Sequence, residues 1–171
     1  MNVCKIRSWN AVRAELFDIK LTPVQKIILL RSRPHVHNEF QFSSRYNNIS
    51  FSATRADGSN CARYAHIQYS HAAERWDTVE FLLTDEEEDR AKVRADELEG
   101  TPYDLIGQLC HATKLKLWKP SSKKIWCTKA TAELMYAAKP KFRTFIDSFD
   151  LIDELLPDQL DMLARYWVRI P

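Results

Sequence analysis

The chain has 171 residues, 45% hydrophobic and 28% charged, which is the length and composition of one self-supporting domain rather than a small fold that needs staples. Its 25 lysines and arginines stand against 23 aspartates and glutamates, a formal charge of +2 that excludes the long-range field of a dedicated nucleic-acid or membrane binder. With only 3 glycines, Gly58, Gly100 and Gly107, neither a GxGxxG turn nor a phosphate-cradling P-loop can be written, and no GxSxG elbow, HExxH helix or EF-hand loop is present.

At the N-terminus, MNVCKIRSWNAVRAELF lacks the apolar stretch of a secretory signal, and no window approaches the roughly 18 apolar residues of a membrane span. A cytoplasmic protein is expected, and the scattered Cys4, Cys61, Cys110 and Cys127 read as reduced thiols rather than a disulfide framework. Residues 8–20 predict a short helix, with Ser8 as cap and Trp9, Val12, Leu16 and Ile19 at helical spacing. The first strand is predicted from His35, where Val36, Asn38, Phe40 and Phe42 alternate with His37, Glu39 and Gln41. Tyr46, Asn47 and Asn48 have turn chemistry, so residues 36–55 predict a hairpin, and further strands are expected near 61–69 and at TVEFLL, ending at Leu83.

Thr84 and Glu87 form a capping box for a helix that Gly100 and Pro102 stop, with Val93 and Leu98 facing inward. Its acidic first turn reads as a solvated face, with Glu86 and Arg90, and Glu88 and Lys92, at pairing distance. Tyr103 to Thr113 predicts another helix, with Ile106 and Cys110 on one side. LKLWKPSSKK is a basic loop around Trp118 that either grips an anionic group or is simply solvated. Cys127 to Ala138 predicts a helix ended by Pro140, and Asp158 to Tyr166 the last one, with Pro157 in its first turn. With no repeat and no linker, residues 1–171 read as a single α+β domain.

Cys127, in IWCTKATAELM, sits where a loop hands over to a helix. Unpaired amides and the positive dipole end there stabilise a thiolate and can receive an acyl-transfer oxyanion. The alternative is a small buried apolar group. A nucleophilic thiol needs a base, and His37 has Glu39 two residues on, a strand spacing that puts a carboxylate on the imidazole's own face. The same spacing also suits a structural pair on a wet sheet face. His35 shares that face, and Asp57 is an alternative orienter. Cys61, Cys110, His66, His71 and His111 lack the spacings of a zinc site, so neither a metal nor a cofactor is expected.

The succession HNEFQF, ISFSAT, PYDLIG and IWCTKATAEL, with the histidine strand ahead of the cysteine helix, resembles the circularly permuted papain-like cysteine hydrolases. These are relatives of NlpC-type peptidases and the lecithin retinol acyltransferase group, with bacterial and phage forms. The resemblance covers about residues 30–138. It implies an antiparallel sheet packed on helices, Cys127 as nucleophile at a helix N-terminus, His37 as general base, Glu39 as its orienter, and a thioester formed on a peptide-like amide or an acyl-lipid-like ester. It also implies that the Tyr103 hydroxyl assists the oxyanion or substrate, although a half-buried tyrosine at a core edge needs no such role. Asn38 stands where the family commonly has an apolar residue. A catalytically inactive relative that binds a host or partner protein is the competing reading, and a single-stranded nucleic-acid binder a third that the near-neutral charge disfavours.

Overall fold

The structure is a computed structural model that describes residues 1–16, 20–55, 58–67, 74–113, 123–148 and 155–169. Ile19, Asp57, His71 and the loop around Trp118 therefore lie outside the described residues. The first departure from the sequence pattern comes at the N-terminus. Asn2–Asn10 form strand β1, and only Ala11–Leu16 are helical, as α1. The helical spacing of Trp9 and Val12 is overridden by a period of two, since Cys4, Ile6, Ser8 and Asn10 are all buried. Because Ser8 and Asn10 are polar, that alternation does not register as apolar against polar.

Helix α2, Pro23–Leu29, follows with strong start signals that the periodicity of its flanks conceals. Thr22 and Gln25 cap it reciprocally and Pro23 opens its first turn. Strands β2 (His35–Gln41) and β3 (Ser50–Thr54) make the expected hairpin. Asn47 and Asn48 take the left-handed conformation at its turn, with φ of 55° and 53°. Strand β4 is Cys61–Ala65, shorter than 61–69, and β5 is Trp76–Leu83. The five strands form one antiparallel sheet in the order β4-β3-β2-β1-β5, so the unanticipated β1 is an interior strand beside β2.

Helix α3, Asp85–Leu98, starts at the Thr84–Glu87 capping box. Its inward stripe is Glu88, Ala91, Ala95 and Leu98, at helical spacing. Val93 points outward at 58% exposure, because it lies two residues from both alanines of that stripe. Nor is the acidic first turn wholly solvated. The Glu88 carboxylate is fully buried and accepts from the Ser43 amide at 2.8 Å, the Ser43 hydroxyl at 3.0 Å and the Cys4 thiol at 3.3 Å. Burial, then the Glu88 charge, raises the Cys4 thiol far above its usual range. Arg90 donates instead to the Ala137 and Ala138 carbonyls, and Lys92 pairs with Asp96.

Three further helices, α4 (Leu105–Thr113), α5 (Cys127–Ala138) and α7 (Pro157–Trp167), lie where the periodicity predicts them, although Ile106 is exposed. Pro140 does more than end α5: it opens α6, Pro140–Asp147, since a first-turn proline needs no donor.

Helix α5 is the centre of the molecule and packs on β2, β3, α3, α6 and α7. Its buried face of Ala130, Thr131, Ala132, Leu134 and Ala138 is mostly small, which permits close approach. The sheet face beneath it carries Phe40, Phe42 and Phe51, each essentially unexposed, and each contributing about 2–3 kcal/mol by leaving water. A smaller apolar cluster of Ala11, Leu21, Ile28, Leu29, Val36 and Ala112 lies under α2. No helix among the described residues is long and apolar enough to cross a membrane.

Candidate active site

The site grows from a fork in the sheet. The β2–β3 ladder carries only the pairs Phe40–Phe51 and Gln41–Ser50. Past these pairs, in the direction of His37, the Ser52 hydroxyl rather than a backbone amide donates to the Asn38 carbonyl, at 2.7 Å. The first turn of α5 meets β2 beyond that point. Thr128 Oγ1 donates to Asn38 Oδ1 at 3.0 Å, and the Asn38 amide hydrogen-bonds the Cys127 sulfur.

Asn38 and its neighbours then divide their work by strand parity. The Asn38 side chain is fully buried and also donates to Ser8 Oγ at 2.9 Å and the Pro157 carbonyl at 3.2 Å. It stitches β1, β2, α5 and α7 together and does not enter the cleft. His37 and Glu39 project to the other side, with Nε2 and Oε1 3.0 Å apart. Glu39 is buried at 3% exposure, so this is no solvated pair on a wet face.

Cys127 is the first residue of α5 and has no exposure. The preceding Trp126 adopts an extended N-cap conformation without a side-chain cap bond, and the helix begins with the Ala130 amide donating to the Trp126 carbonyl at 2.9 Å. The thiol and the His37 imidazole lie close enough to act on one another, while Nε2 of the ring is bonded to Glu39. Burial opposes a charge on either group. It is outweighed at His37 by the Cys127 charge and hydrogen bond and by Glu39, which together raise the imidazole to about 10. Burial is likewise outweighed at Cys127 by the His37 charge and hydrogen bond, the Asn38 amide and the Thr128 hydroxyl, which hold the thiol below its ordinary value. Both shifts run toward the charged forms of the two groups.

Tyr103 is brought to the same place by β-bridges. Residue Tyr103 pairs with Ile125 and Pro102 with Cys61, and the Asp104 amide donates to the Ile125 carbonyl at 2.9 Å. Its hydroxyl donates to Gln108 Oε1 at 2.5 Å and also reaches Cys127. Burial first, then the Cys127 charge, keeps that hydroxyl protonated far above its usual range. The partly buried ring is thus a core-edge aromatic whose hydroxyl lies beside the sulfur and gives its one proton to Gln108.

Gln108 is the participant that the sequence pattern does not single out. It is 3% exposed, and its Nε2 points at the Cys127 sulfur from 3.8 Å. The one local signal is a lone amide within the apolar run LIGQLC. The remaining candidates are elsewhere. His35 Nε2 bonds Asp77 at 2.7 Å, Cys61 and Cys110 are partly buried free thiols, and no group of three or more metal-ligating side chains is found among the described residues.

Compared with protein-family models, curated proteins and solved structures, the chain has no match in any of the three.

Proposed function

We propose that the protein is a cysteine hydrolase or acyltransferase of the permuted papain-like kind, acting on an amide or ester bond through Cys127, His37 and Glu39. The observation that carries this reading is the juxtaposition of Cys127 with the His37 ring, whose Nε2 bonds the buried Glu39 carboxylate. The chain order, with the histidine strand ahead of the cysteine helix, supports the permuted arrangement.

The steps follow from the residues present. The thiolate of Cys127 attacks the substrate carbonyl carbon, and the carbonyl electron pair moves onto oxygen. Donors for that oxygen are the backbone amides opening α5 and Gln108 Nε2, whose amide is turned toward the sulfur because Tyr103 holds its Oε1. The imidazolium passes its Nδ1 proton to the leaving nitrogen or oxygen, and a thioester remains. His37 then takes a proton from water or another acceptor nucleophile, which attacks the thioester and returns Cys127 to its starting state. Glu39 holds the ring orientation and stabilises its positive charge throughout.

Iodoacetamide alkylation across pH tests the reading. Cys127 is expected to react fastest of the four cysteines, with an apparent pKa below the roughly 8.5 of a free thiol, and His37→Ala is expected to raise that value. If Cys127 reacts no faster than the more exposed Cys61 and Cys110, catalysis is lost as an explanation and the inactive, partner-binding reading takes its place.

A further inference from the structure

His37, Tyr103 and Gln108, the three side chains set around the buried Cys127, line a cavity of about 550 Å³, within the roughly 300–1,000 Å³ of small-ligand clefts. Its lining changes in chemistry across the sheet. On one side of His37 stands Trp9 of β1, directly paired with both His37 and Trp76 of β5, and the Trp76 ring meets the imidazole edge-on at 6.2 Å. Ile28 of α2 closes this apolar lobe. On the other side lie Arg63 of β4 and Arg55, the residue after β3. The Arg55 guanidinium is near enough to act on the Tyr103 hydroxyl, which bonds Gln108 beside the sulfur. Adjacent strands are about 4.8 Å apart, so Trp9 lies about one strand spacing from His37 and Trp76 about two, while Arg63 lies about two spacings away on the opposite side.

We propose that the substrate of this site is an amide or ester joining an apolar group of aromatic size, seated against Trp9 and Trp76, to an anionic group, carboxylate or phosphate, held by Arg55. The proposal rests on the hydrolase reading for the bond that is cut, but its recognition chemistry is testable without catalysis.

The experiment is a calorimetric titration of the Cys127→Ala protein, with Cys127→Ser as a second background, using four probes. They are N-phenylacetyl-β-alanine, N-phenylacetyl-O-phosphoethanolamine, the neutral N-phenylacetylethanolamine, and N-acetyl-β-alanine. Each of the two anionic phenylacetyl probes is expected to bind about tenfold or more tighter than the neutral one, as a charge-assisted contact implies. The tighter of the two identifies carboxylate or phosphate as the natural anion. N-acetyl-β-alanine is expected to bind more weakly than its phenylacetyl counterpart, and Arg55→Gln to bring the anionic probes down toward the neutral one while Arg55→Lys restores part of the difference. Equal affinity of charged and neutral probes, or no binding of any probe at millimolar concentration, overturns the proposal. Selective binding by a protein whose Cys127 proves unreactive would instead retain the cleft and remove the catalysis, whereas a reactive Cys127 with indiscriminate binding would do the reverse.

Discussion

Glu39 acts on the reactive thiol only through His37, and this makes its contribution separable. Glu39→Gln keeps a hydrogen-bonding group at 3.0 Å but deletes a charge, so the imidazolium is less favoured and the thiolate loses part of its counter-ion. The alkylation midpoint of Cys127 is expected to move upward by about one pH unit, whereas a purely structural Glu39 would leave it in place. Turnover is expected to need both partners charged. It rises with pH as Cys127 gives up its proton and falls again as His37 is neutralised near pH 10. Asn38 is the contrasting case. Its side chain touches Ser8, Thr128 and the Pro157 carbonyl and faces away from the cleft. Asn38→Ala is expected to cost about 2–4 kcal/mol in urea unfolding, from lost bonds and groups left unpaired.

At the scale of elements, α4 carries Gln108 and is aimed by a tight start. Asp104 Oδ1 accepts from the Gly107 amide at 2.9 Å, and a Cβ on Gly107 would lie 2.7 Å from Asp104 Cγ. Gly107→Ala must therefore displace either the Asp104 side chain or the helix. It is expected to slow turnover several-fold more than Ile106→Ala on the exposed face, which a comparison of kcat on one ester substrate would show. Helix α3 is tied to the β2–β3 turn and to β1 by Glu88. Glu88→Ala strands the buried Ser43 donors and is expected to destabilise the fold by about 2–4 kcal/mol, measured as the urea midpoint at fixed slope.

These elements also mark what can be read from a sequence. The Thr84–Glu87 cap, the span of α5 and the i+2 placement of His37 and Glu39 are local signals and all are visible in the letters. Strand β1 is not, because an interior strand whose inward positions include Ser8 and Asn10 hides its period. Glu88 and Gln108 are not either, since an acidic or amide side chain on a helix reads as solvated until a partner from a distant segment covers it. The buried partner of Glu88 is Ser43, and that of Gln108 is Cys127.

For the whole molecule, two carboxylates join segments that are far apart in the chain. Asp77 of β5 accepts from His35, Asn10 and Arg13, and Glu87 of α3 pairs with Lys139 between α5 and α6. Burial favours their neutral forms, but the His35 and Asn10 bonds with the Arg13 charge at Asp77, and Lys139 with the Thr84 amide at Glu87, hold both below the usual range. A depressed folded value means that the stability they add is complete above the unfolded value of about 4 and is lost as pH falls through the folded one. The urea midpoint is therefore expected to fall below about pH 4, less steeply in Asp77→Asn.

The edge-on contact of Trp76 with His37 gives the protein a built-in optical gauge. A positively charged imidazole quenches indole emission far better than a neutral one, and this ring stands 6.2 Å from the histidine. Intrinsic fluorescence should then brighten as alkali strips the proton from His37, the brightening should vanish in Trp76→Phe, and the protonation state of the reactive centre could be followed by light alone, without substrate or label.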